Sequence, residues 1–74
     1  MSKEYDLLEP EQQLIVASIG ARKAQNLTQA ELARLMGTSQ ANISKLENGK
    51  LNPSVAFLER LATACDVKLN VYLR

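Results

Sequence analysis

The chain has 74 residues, a formal net charge of +1, no histidine, no tryptophan and one cysteine. That length supports one small domain that buries only about 60% of its unfolded surface, and with 46% hydrophobic but 4% aromatic residues the core must come from Leu, Ile, Val and Ala, as in packed helices. Lone Cys65 excludes an internal disulfide framework and points to a reducing cytoplasm, absent histidine removes the usual zinc ligand and imidazole base, and no stretch approaches the ~20 apolar residues of a membrane span.

Residues 1–12 hold Lys3 against Glu4, Asp6, Glu9 and Glu11, a net −3, so the rest of the chain carries +4. Near-neutrality therefore conceals an acidic leader and a basic body. Glu9, Pro10 and Glu11 suit a helix start, where acidic groups meet the positive end of the helix dipole. The first predicted helix runs from about Pro10 to Gln25, with Leu14, Ser18, Ala21, Arg22 and Gln25 on one face. Val16 and Ile19 project roughly opposite, so a second face of this helix wants a cover. Asn26 and Leu27 break the period.

Thr28 and Glu31 have capping-box spacing and open a second helix reaching Met36. Gly37 stands where a helix end wants a left-handed residue, and Thr38 with Ser39 offers the next cap. A third helix, about Ser39 to Asn48, turns Ile43 and Leu46 inward and Ala41, Ser44, Lys45 and Asn48 outward, and ends at Asn48-Gly49. After Asn52 and Pro53, Ser54 caps a fourth helix to about Ala64. Its predicted buried stripe is Val55, Leu58, Leu61, Ala62 and Cys65, with Phe57 at the edge.

The period then changes to two. Val67, Leu69, Val71 and Leu73 alternate with Lys68, Asn70, Tyr72 and Arg74, the pattern of a half-buried strand. The sequence offers no second strand, so the expected partner is another copy of the chain, paired about a two-fold axis through Val67, Leu69, Val71 and Leu73. The alternative is an extended tail lying on the first helix.

Two helices joined by a three-to-four-residue turn, the second polar on its outer face, have the geometry of a helix-turn-helix over about residues 28–48. Gln29, Ala33, Gly37, Ile43 and Leu46 fall on its constrained positions: Ala33 is small where the helices cross, Gly37 turns the chain, and Ile43 and Leu46 anchor the second helix. No carboxylate pair, metal cluster or phosphate loop accompanies them, so neither an enzyme nor a cofactor or metal site is expected. The domain boundaries read as an acidic leader over 1–12, a DNA-binding domain over 13–66 and a dimerisation strand over 67–74.

The run from Leu27 (Leu-Thr-Gln-Ala-Glu-Leu-Ala), continuing through Gly37-Thr-Ser-Gln-Ala-Asn-Ile-Ser-Lys-Leu-Glu-Asn-Gly49, resembles the Cro/phage-repressor (Xre) family across about residues 13–66. The leader, Ala21-Arg22-Lys23, Asn52-Pro-Ser and the terminal alternation are similar more narrowly to HigA-type antitoxins. The resemblance implies a mainly α, compact lambda-repressor-like domain of four to five helices that binds a palindromic operator in double-stranded DNA as a homodimer. It also implies a cytoplasmic repressor of its own operon that neutralises a RelE-like toxin, a small basic ribonuclease. A longer natural leader stays open.

The resemblance also implies roles. Gln29 and Gln40 match two glutamines that brace each other in phage repressors and approach DNA, one at a phosphate and one at a base. Gln40, Ala41 and Lys45 are the expected base contacts, since a glutamine amide suits adenine and a methyl group suits thymine. The expected phosphate contacts are Gln29, Ser39, Asn42, Asn48 and Lys50, which set register without reading sequence. A polar residue is common in that family where Ala41 stands here. Arg22 and Glu47 match a structural ion pair between the first and third helices. Val16, Ile19 and Phe57 are the candidate toxin or dimer surface. Rival readings are a stand-alone phage-type or restriction-control repressor and a purely protein-binding helical module.

Overall fold

A computed structural model describes residues 8–73. Four helices follow in chain order: α1 (Pro10–Ala24), α2 (Gln29–Met36), α3 (Gln40–Glu47) and α4 (Val55–Ala64). The described residues are mainly helical, and their four helices agree with the four to five expected. Lys3, Glu4 and Asp6 of the leader, and Arg74, lie outside the described residues.

Each start has a local cause. Pro10 occupies the first turn of α1, and the Glu9 amide donates to Gln12 Oε1 at 3.1 Å. The Thr28–Glu31 capping box is complete, with the Glu31 amide donating to Thr28 Oγ1 at 3.0 Å and the Thr28 amide to Glu31 Oε1 at 2.9 Å. Ser39 and Ser54 cap α3 and α4, accepting from the amides of Asn42 and Phe57 at 3.1 and 3.0 Å.

All four helices end alike. The residue past the last turn enters the left-handed region at Asn26, Gly37, Gly49 and Asp66. The following amide reaches back five residues, from Leu27 to Arg22, Thr38 to Ala33, Lys50 to Lys45 and Val67 to Ala62, at 2.8–3.2 Å. This Schellman closure satisfies carbonyls that a bare helix end would leave open. Asn26, legible in the sequence only as a break in the apolar period, is thus one of four equivalent stops.

The core is Leu32, Ala33, Met36, Ile43, Leu46, Phe57, Leu61 and Cys65, with Leu14, Ala21, Leu27, Leu51, Leu58 and Ala64 packed around it. Thus α2 packs on α3 and α4, and α1 on α3. Two expectations for α4 are corrected. Val55 is 58% exposed, whereas Phe57 is only 8% exposed. The buried arc of α4 is rotated toward Phe57, whose ring carries the Arg60 guanidinium 5.6 Å from its centroid while Arg60 Nη1 donates to the Met36 carbonyl at 3.2 Å. Burying the one phenylalanine beside α2 removes more apolar surface than burying the first residue of the helix.

The tail departs from the expected strand. Residues 67–73 have no regular secondary structure, and there is no strand among the described residues. A single strand has no ladder partner within one chain. These residues instead run beside α1 and α4 and line an apolar groove of ≈ 1040 Å³ with Leu14, Ser18, Leu58 and Leu61. Leu69 is half-buried there, while Val67, Val71 and Leu73 are exposed. No helix of the described residues is long and apolar enough to cross a membrane.

Candidate nucleic-acid interface

The outer face of α3 carries the expected chemistry. Gln40, Ala41, Ser44, Lys45 and Asn48 recur at helical spacing on one side. All but half-buried Ser44 are exposed, while Ile43 and Leu46 on the opposite side are buried. The side chains of Gln40 and Lys45 have no hydrogen-bond or ion-pair partner among the described residues. The amides of Gln40 and Ala41, first in the helix, have no intrahelical acceptor and lie at its positive end. The stripe therefore combines a free amide side chain, a methyl group and a cation on one surface.

The flanking residues divide into committed and free groups. Asn42 is half-buried and its Nδ2 donates to Thr38 Oγ1 at 2.9 Å. Asn48 Nδ2 donates to the Ser44 carbonyl at 2.7 Å. Asn48 Nδ2 also reaches Ser44 Oγ at 3.4 Å. These two amides thus brace the ends of α3, and while Asn42 keeps a second hydrogen, both keep an acceptor oxygen. Ser39 Oγ accepts from the Asn42 amide at 3.1 Å, which leaves its own proton to donate outward. Lys50 is exposed just past the end of α3. Thr38 as partner of Asn42 has no strong sequence signal, because one hydroxyl four residues from an asparagine is common on any surface.

Beneath this surface lies a polar cluster. Arg22 of α1 donates through Nε to Glu47 Oε2 at 2.7 Å and through Nη2 to Glu47 Oε1 at 3.0 Å. Arg22 Nη1 donates to the Leu27 carbonyl at 2.7 Å. Gln29 Nε2 donates to Glu47 Oε1 at 3.1 Å. The last residue of α3 is in this way tied to α1, to the turn after α1 and to the first residue of α2. The Leu27 carbonyl could not be named in advance, since a backbone acceptor leaves no mark on the sequence.

Side-chain exposures of 12% for Arg22 and 7% for Glu47 make this a largely, though not fully, buried pair. Burial by itself pushes the Glu47 carboxyl up, but hydrogen bonds from Arg22 and Gln29 and the positive charge outweigh it, holding the group below the ordinary carboxylate value. The Glu47 hydrogen bond raises Arg22 further above its usual value against the opposing effect of burial. Glu31 is also held low, first by the Thr28 amide and then by the Thr28 hydroxyl. Burial raises the Cys65 thiol, in keeping with a core residue.

Two implied arrangements are not found. Gln29 is half-buried and bonds Glu47, so the two glutamines do not brace each other and Gln40 stands alone. Val16, Ile19 and Phe57 do not share an exposed patch: Val16 is 48% exposed, Ile19 is half-buried and Phe57 belongs to the core.

A family model described as helix-turn-helix matches residues 21–72, from the last turns of α1 through the tail. The chain belongs to the Xre-type helix-turn-helix family. Members of this family are DNA-binding transcriptional regulators, and the α2–turn–α3 unit is its defining feature here. The chain is 40% identical over 50 residues to the ImmF control region 10 kDa protein of Bacillus phage phi105, covering 68% of this chain and 56% of that one. It is 35% identical over 65 residues to Antitoxin HigA1 of Mycobacterium tuberculosis, covering 88% and 44%. It is 54% identical over 48 residues to the Competence pilus inhibition repressor of Acinetobacter baylyi, covering 62% and 44%. The chain spans about half the length of these curated relatives. No solved structure is a significant match.

Proposed function

We propose that this chain is a sequence-specific repressor that binds double-stranded DNA as a homodimer, laying α3 in the major groove of each half of a palindromic operator in its own promoter. The observation that carries the reading is the division of α3: an unpartnered Gln40, Ala41 and Lys45 outward, and a side fixed inward by Ile43, Leu46 and the Arg22–Glu47 pair. A recognition helix needs both, because base readout requires free groups held at fixed register. In this reading Gln29, Ser39, Asn42, Asn48 and Lys50 take phosphates, through whichever hydrogens their internal bonds leave free.

Dimerisation is assigned to residues 67–73, whose backbone lacks a ladder partner and whose Val67, Val71 and Leu73 are exposed beside half-buried Leu69. A footprint on the DNA upstream of the reading frame tests the whole. Two protected half-sites about 34 Å apart are expected, with protection lost in Gln40→Ala. Wild-type protein that shows no salt-dependent binding to that DNA removes the reading and favours a purely protein-binding module. A strictly monomeric product on crosslinking cysteines placed at Asn70 removes the assignment of dimerisation to the tail.

The likeness to Antitoxin HigA1 over 88% of the chain supports a second activity, the neutralisation of a small basic ribonuclease toxin encoded beside it. The acidic residues of the leader, with Val16 and Ile19, are assigned to this contact; Phe57 belongs to the core. Co-purification of the chain with the product of the neighbouring frame tests this. Failure of that product to bind leaves the stand-alone repressor, the reading favoured by the likeness to the phage control protein and the pilus repressor.

A further inference from the structure

We infer that Glu47 is a positioning residue for DNA recognition: it orients the Gln29 amide so that one hydrogen is held inside the protein and the second is presented to a DNA phosphate. The inference rests on the DNA-binding reading above and adds a coupling between the buried ion pair and the DNA surface. Glu47 Oε1 accepts from both Arg22 Nη2 at 3.0 Å and Gln29 Nε2 at 3.1 Å. The orientation of the amide is fixed by chemistry, because turning it over would set Gln29 Oε1 against a carboxylate oxygen with no hydrogen between them.

Gln29 is the first residue of α2, half-buried, and its side chain makes only this one hydrogen bond among the described residues. The second hydrogen on Nε2 therefore remains to donate, at a helix start whose own free amides favour an anion. A glutamine left loose would have to be immobilised on binding; here the carboxylate has already done so in the free protein. The two oxygens of Glu47 are shared out accordingly, Oε2 to Arg22 alone and Oε1 to Arg22 and Gln29 together.

The test is a cycle on operator affinity that leaves net charge unchanged. Arg22→Met/Glu47→Met removes the pair without stranding either partner, and Gln29→Ala removes the contact itself. Gln29→Ala should weaken binding about tenfold, and the double methionine variant by about three- to tenfold. The salt dependence should not change, since no phosphate-bound cation is lost. In the Gln29→Ala background the methionine pair should cost nothing further. An equal loss in both backgrounds overturns the proposal, because a displaced α3 would weaken binding whether or not Gln29 is present.

A second measurement stands even if the methionine pair fails to fold. In wild-type protein the two side-chain amide protons of Gln29 should exchange with solvent at different rates, and operator DNA should slow the faster one. Equal, fast exchange of both overturns the assignment. Wild-type protein without operator affinity removes the DNA-binding reading and this inference with it, an outcome distinct from equal losses in the cycle.

Discussion

Arg22 and Glu47, 25 residues apart in the chain, face each other with two guanidinium nitrogens on two carboxylate oxygens, at 2.7 and 3.0 Å. The fork geometry is one that lysine cannot supply. Because both groups are nearly buried, removing one leaves the other charged and unpaired. Arg22→Ala should cost about 3–5 kcal/mol, whereas replacing both partners by methionine should recover most of that loss. Urea denaturation of the three proteins checks this; an Arg22→Ala midpoint equal to wild type would refute the structural role.

The same pair sets the response to acid. Glu47 is held below its unfolded value of about 4.3, so between the two values the unfolded chain binds the extra proton and stability rises with pH. Its contribution is complete above about pH 4.3 and is lost as pH falls through the folded value. Wild type should therefore exceed Glu47→Gln in stability at neutral pH, with the gap closing on acidification. A gap independent of pH down to acid unfolding contradicts the linkage. Glu31 is lowered as well, so a smaller acid slope should persist in Glu47→Gln.

How much of this was legible beforehand depends on how local the cause was. The caps at Thr28, Ser39 and Ser54, and the stops at Gly37 and Gly49, are short-range backbone chemistry, and the helix limits followed to within a residue or two. Ala33, Ile43 and Leu46 were legible because their spacing lets them meet one neighbour. The buried arc of α4 was not, since the choice between Val55 and Phe57 depends on where α2 lies. Nor was the Gln29–Glu47 bond, where two partners compete for one amide and Arg22 decides by fixing the carboxylate. The tail had a strand's alternation, but alternation states only which faces differ and does not supply a ladder.

Gly37 and Gly49 share a left-handed backbone, at φ +69° and +72°, but not the same surroundings. A Cβ on Gly37 would meet nothing within 4 Å, whereas one on Gly49 would lie 3.1 Å from Ile15 Cδ1. Gly37→Ala should thus cost only the conformational penalty, about 1–2 kcal/mol. Gly49→Ala should cost more, by whatever Ile15 loses in moving aside. Thermal melts giving the reverse order would count against the packing of α1 on the end of α3.

Ser18 is the one fully buried polar residue of α1, and its Oγ has no hydrogen-bond partner among the described residues. An unsatisfied hydroxyl carries a desolvation cost of about 1–3 kcal/mol, which Ser18→Ala relieves at the loss of a single oxygen. The variant should be at least as stable as wild type and should bind DNA equally well. A clear destabilisation would instead reveal a hydrogen bond made in solution at the α1–α4 groove.

Gln40 and the two lysines at the α3 surface, Lys45 and Lys50, should fail in different ways. Gln40 is neutral and can pair two hydrogen bonds with adenine, so Gln40→Ala should cost about 1–3 kcal/mol on the correct operator and much less on a site with that base changed. Lys45 and Lys50 are cations, and any that rest on a phosphate release counterions on binding. Lys50→Ala should therefore weaken binding almost uniformly across sequences and lower the slope of log affinity against log salt by about one. Lys45, one turn beyond Ala41, can take either a guanine or a phosphate. Titrations of Lys45→Ala against operators altered base by base, at several salt concentrations, distinguish the two. A changed slope with unchanged base preference moves Lys45 to the backbone contacts, and an unchanged slope with relaxed preference keeps it among the readers of sequence.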